Sequence, residues 1–118
     1  MPRRPSPADH ARHYALSFPE VAESPHFDSA SFRVRGKIFV TLPAGDEQLH
    51  VFVGEDETKA FVAEDGDAFE ELWWGKKLWG VRVNLSCAPR AGIEELIDSA
   101  WRRKAPKRVV DAFDASEG

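Results

Sequence analysis

The chain predicts an α+β fold: a single compact domain with a curved antiparallel sheet of about four to six strands, packed against N- and C-terminal helices. Three observations carry that expectation. Apolar residues recur at helical spacing near both ends of the chain, and alternate with polar ones in the middle. The breaks between the alternating runs are short, at Gly36 and at Pro43-Ala44-Gly45-Asp46, so successive strands turn back on each other. The length, 118 residues, suits one domain.

The elements follow in order. Residues 1–6 are expected to be a disordered tail and 7–114 the folded domain. Ser6, at the border, reads as an N-cap, with Pro7 at the first helical position and Asp9 at the capping-box position. The helix so started runs to about Ser17, with Ala11, Tyr14, Ala15 and Phe18 on one face, and Phe18-Pro19 ends it. Residues 19–30 read as a loop. Then Phe32 and Val34, Ile38, Val40 and Leu42, and Leu49, Val51 and Val53 mark three strands with an aliphatic face. Their other face is expected to carry Arg33, Arg35, Lys37, Phe39, Thr41, His50 and Phe52. Residues 55–63 predict a short helix with an acidic first turn and Phe61 as anchor. Phe69 to Trp74 reads as another turn of helix. Val81, Val83 and Leu85 alternate with Arg82 and Asn84 in a fourth strand, with part of a fifth around 74–79. Ile93, Leu96, Ile97, Ala100 and Trp101 form an apolar stripe over 92–104. Beyond Pro106, Val109, Val110 and Phe113 would pack inward from a last helical turn or two.

Composition narrows the class. Four Trp and eight Phe supply enough core volume without disulfides or metal. Cys87 is alone and forms no internal disulfide, which points to a reducing cytoplasm. No apolar run approaches the roughly 20 residues of a membrane span, and the opening Met-Pro-Arg-Arg-Pro-Ser-Pro lacks the apolar core of a signal peptide. The net charge of −4 argues against indiscriminate binding to nucleic acid. Its distribution does not: acids gather in 46–71, and bases in 33–37, 76–82 and 102–108. One negative and one positive side are expected.

Catalytic patterns are missing, so no enzyme, cofactor or metal is expected. No glycine-rich phosphate loop occurs. His10 and His13 are spaced to share a cation, but no third ligand is dictated, and a solvated helix face accounts for them. Cys87 has no ordered histidine partner and reads as a small core or edge filler. The pairs Glu70-Glu71 and Glu94-Glu95 point in divergent directions on helices and suit solvent. Of the tryptophans, most are expected in the core. One of Trp73 and Trp74 is left partly exposed beside Lys76 and Lys77.

The candidate site is therefore a surface: Arg33, Arg35, Lys37 and Arg82 rising from the sheet, interleaved with Phe39 and Phe52, and joined by Lys76 and Lys77. Charge with stacking planes is what a nucleic acid uses. A solvated sheet whose phenylalanines lie under a helix is the other reading, and both stand at this point. The second basic group, Arg102, Arg103, Lys104, Lys107 and Arg108, suits the negative end of a helix dipole.

Several segments together resemble the MmcQ/YjbR family over residues 10–113: Phe18-Pro19-Glu20-Val21, Pro25-His26-Phe27, Ser31 through Phe39, Trp79 through Leu85, Ser99-Ala100-Trp101-Arg102 and Ala105-Pro106-Lys107-Arg108. The resemblance implies a compact α+β domain with a curved antiparallel sheet. It also implies DNA binding, a label that rests on likeness to a double-wing domain of a phage transcription factor. His26 and Lys37 match family positions, and no catalytic residue carries over. The function expected is a DNA-binding or regulatory module; the alternative is a non-enzymatic module meeting an acidic protein partner or a small ligand. A monomer is expected.

Overall fold

The structure is a computed structural model that describes residues 6–117. Of the expected tail, 1–5 lie outside the described residues, and Ser6 belongs to the fold. Its side-chain oxygen accepts a hydrogen bond from the Asp9 amide at 3.1 Å and opens helix α1 (Pro7–Leu16). Ala8, Ala11, Ala15 and Phe18 are buried.

Next comes a correction. The segment read as a loop holds strand β1 (Val21–His26), paired in register with β2 (Ser29–Val34) from Val21↔Val34 to His26↔Ser29. The turn between them has no glycine; Phe27 takes the left-handed backbone at φ 58° instead. Strand β3 (Lys37–Leu42) follows through Arg35-Gly36, both at positive φ, the conformation a two-residue hairpin turn requires. Strand β4 (Gln48–Val51) pairs with β3, and helix α2 (Glu55–Glu64) leads to the far edge.

A second correction lies there. Residues Phe69–Trp74 form strand β5, not a turn of helix, and hairpin with β6 (Lys77–Asn84) across Gly75-Lys76. Helices α3 (Arg90–Lys104) and α4 (Lys107–Glu117) end the chain, α4 running beyond the expected boundary at 114. The six strands are antiparallel in the order β1-β2-β3-β4-β6-β5.

The helices gather on one face. All five residues of the predicted α3 stripe are buried, and α3 packs on α1, β3 and β4. Trp101 anchors the junction. Its ring lies 5.0 Å from Phe18 and 5.2 Å from Phe113, and its indole N–H donates to the Pro19 carbonyl at 3.2 Å. Arg102 ties α4 to α3 by a two-pronged bond to Asp114 (2.9 and 3.0 Å) while also donating to Asp98.

Two bulges break the strand alternation. Phe32 faces Val40 but Arg33 faces Ile38, so Phe39 is an extra residue in β3. Leu72 faces Gly80 but Trp73 faces Leu78, so Trp79 is extra in β6.

Candidate functional site

The bulge in β3 divides the expected site. Phe39 is turned into the core and is fully buried, which overturns its placement on the exposed face. Lys37, on the other side of the bulge, lies close enough to the end of α3 to act electrostatically on Lys104. Arg35 is also not free. It sits in the hairpin turn, and its Nε donates to Glu20 Oε1 at 2.6 Å. That bond holds the Glu20 carboxyl below the usual range and raises Arg35. The pair borders an open depression of about 420 Å³, floored by Val109, Ala112 and Phe113 of α4.

Arg33 and Arg82 do rise from the sheet face away from the core. Strand register lines up a polar row there, through Ser24, Ser31, Thr41, His50, Arg82 and Glu70. Both arginines are half-buried. Arg33 Nε donates to the buried Ser31 hydroxyl at 3.2 Å, and Arg82 has Glu70 directly opposite. Burial first, and then the neighbouring Arg82, lower the pKa of His50, so it adds no charge near neutral pH. In this row the cations are half-buried beside polar neighbours, and the buried His50 Nε2 meets no hydrogen-bond partner among the described residues.

Five cations without a carboxylate partner among the described residues stand at the end of the sheet. Antiparallel pairing puts the Arg35-Gly36 and Gly75-Lys76 turns at the same end, where Phe52 leaves β4 and α3 finishes. Arg103 of α3 donates to the Phe52 carbonyl at 3.1 Å. Lys104 lies among Arg103, Lys37 and Lys77; burial of its ammonium and then those three positive neighbours push its pKa below the ordinary value. Among the described residues, none of Lys37, Lys76, Lys77, Arg103 and Lys104 has a carboxylate within salt-bridge distance. The turns at the opposite end carry Asp28, Asp46 and Glu47.

Aromatic rings share that end. Trp74 and Trp79 stack at 5.4 Å with 21° between planes, and Phe52 meets Trp79 edge-on at 5.7 Å. Trp74 is 68% exposed, Trp73 48% and Trp79 39%. The expectation of mostly buried tryptophans holds only for Trp101. Trp73 is fixed from the side, its indole N–H donating to Glu71, which Lys59 also contacts. Gly80 makes the arrangement possible. Its backbone, at φ 156°, passes so close to β4 that a Cβ would stand 2.0 Å from the Val51 carbonyl oxygen.

Four of the sequence-predicted residues therefore come together: Lys37, Phe52, Lys76 and Lys77. Trp74, Trp79, Arg103 and Lys104 complete the group. Residues 74–79 carry a signal in their Trp–Lys spacing, but Arg103 and Lys104 carry none, since cations at a helix C-terminus suit its dipole. Cys87 is exposed, which rules out the core half of its reading. Among the described residues no helix is long and apolar enough to cross a membrane, and His10 contacts Glu94 at 2.9 Å.

The YjbR family model matches residues 16–103, well over half of the chain. The chain belongs to the YjbR family. Among solved structures, this YjbR chain is similar to a Deinococcus radiodurans protein with the domain DUF419, at a TM-score of 0.70 and 17% identity, over 83% of this chain and 80% of that one. At that identity the likeness speaks for the fold. No curated protein matches the chain.

Lys104 gives the YjbR domain a testable pH dependence. Its folded pKa lies below the ordinary 10.5, so in the window just beneath 10.5 the unfolded chain binds more protons than the folded one. Stability contributed by this group therefore rises with pH through that window and is lost as pH falls through the folded value. Denaturant midpoints of the parent minus those of Lys104→Met, measured from pH 8 to 10.5, are expected to climb; a flat difference would contradict the crowding of cations described here.

Proposed function

We propose that this YjbR domain is a non-enzymatic DNA-binding or regulatory module, and that it holds DNA at the end of its sheet. The observation that carries this reading is the set of five cations without carboxylate partners, Lys37, Lys76, Lys77, Arg103 and Lys104, around the exposed rings of Trp74 and Trp79. Crowded like charges are costly to hold together, and a phosphate backbone relieves that cost while releasing its own counterions. The acidic remainder of the chain limits the contact to one end. Arg33 and Arg82 stand outside the proposed contact, and Arg35 is already neutralised by Glu20.

Salt titration tests the proposal. Affinity should fall with salt along a log–log line, losing about 0.7 to 0.9 in slope for each phosphate met. Lys76→Ala with Lys77→Ala should flatten that line by about 1.4 to 1.8. Binding that ignores salt, or a double variant with the parental slope, would end the proposal. In that case an acidic protein partner becomes the reading to pursue, since exposed Trp beside cations also suits a protein interface.

A further inference from the structure

Resting on the DNA-binding reading above, we infer that the sheet end selects single-stranded DNA over duplex by stacking an unpaired base on the outer face of Trp74. A duplex offers such a ring little. Its bases already stack on one another, so it presents edges and phosphates to a protein, and an indole plane gains little from either. An unpaired strand presents ring faces, and aromatic side chains beside cations are the means by which proteins hold it.

The rings at this end are placed for the second case. Phe52, Trp79 and Trp74 form a continuous series in which each ring supports the next: edge-on at 90° between Phe52 and Trp79, then nearly parallel at 21° between Trp79 and Trp74. Trp79 thus contacts both of the other rings. Trp74 ends the series at 68% exposure, the highest of the four tryptophans. It stands at the end of β5, an edge strand, and among the described residues no strand pairs beyond it. A base laid on it would lengthen the existing stack by one member. The Gly75-Lys76 turn sets Lys76 and Lys77 next to that position in the chain. Lys37 and Lys77 both lie in the electrostatic neighbourhood of Lys104. Phosphates on either side of the stacked base would find a cation within a short chain length. The helix that reaches this end, α3, arrives by its C-terminus, and so brings its phosphate contacts through Arg103 and Lys104 rather than through free backbone amides.

Intrinsic tryptophan emission tests the inference directly. Trp101 is fully buried, so a change on adding DNA reports on Trp73, Trp74 and Trp79. The probes are an oligothymidylate of about a dozen nucleotides and a duplex of equal length, titrated at low salt. The strand is expected to quench emission and to bind at least about tenfold more tightly than the duplex. Trp74→Ala should weaken strand binding about 5- to 100-fold and leave duplex binding little changed, and Trp74→Phe should restore most of the loss. The thermal midpoint of Trp74→Ala, a change at an exposed site, should match that of the parent. A duplex bound as tightly as the strand, or a Trp74→Ala loss equal for both, overturns strand selection and leaves DNA binding intact. No binding of either probe at low salt removes the DNA-binding reading itself.

Discussion

Gly80→Ala is expected to cost roughly 3 to 5 kcal/mol of stability, from overpacking and backbone strain together. The added methyl would meet backbone on three sides: the Val51 oxygen at 2.0 Å, and Phe52 Cα and Val53 N at 2.9 Å. None of these atoms can swing away as a side chain could, and β4 cannot retreat without breaking its pairing with β3 and β6. The φ of 156° adds a conformation that residues with a Cβ rarely adopt. Against a total of about 5 to 15 kcal/mol for a domain, such a loss is a large fraction. A fall of roughly 10 to 20 °C in the thermal midpoint is the expected readout, followed by circular dichroism. A midpoint within about 3 °C of the parent would mean that β6 does not approach β4 as described. Surviving folded protein should also show altered Trp79 emission, because the bulge that places this ring lies beside Gly80.

Trp101→Ala should be comparably damaging, at about 3 to 5 kcal/mol. The side chain is fully buried where α1, α3 and α4 converge, and Phe18 and Phe113 both rest on it. Truncation empties that volume and strands the Pro19 carbonyl, which accepts the indole N–H. Trp101→Phe separates the two losses. It keeps most of the apolar volume, so its cost should fall to about 1 to 3 kcal/mol. Denaturant unfolding resolves the series. Equal stability of the alanine variant and the parent would show that the aromatic junction is not what fastens the helices.

Much of this architecture was legible because local signals and burial agreed. The Ser6-Pro7 start of α1 is local chemistry, and so is the Arg35-Gly36 turn. The α3 stripe is legible because one side of a helix faces one core. Strand β1 was not, since an edge strand with only Val21 and Ser24 half-buried shows no apolar alternation. Strand β5 was ambiguous because Phe69 and Leu72, three apart, mimic a helical face, although Leu72 is buried outside the core cluster. The bulge at Phe39 is a backbone event, and counting by twos from Phe32 sends that ring outward. For the candidate site, the cations in two hairpins were visible, but nothing in the residue order says that both turns meet the end of α3. The Arg103 contact to Phe52 spans 51 positions and depends on tertiary packing alone.

The strand order also has a bearing on colloidal behaviour. Among the described residues its two outermost members, β1 and β5, each have a flank with no partner strand, the usual route to sheet-to-sheet fusion between molecules. Pro25 takes one backbone donor out of β1, and each edge strand carries an ion pair, Glu23 with Arg12 on β1 and Glu71 with Lys59 on β5. Copies meeting rim to rim would have to strip water from those ion pairs. Indole surface can thus stay wet at one corner of the molecule without seeding fibrils.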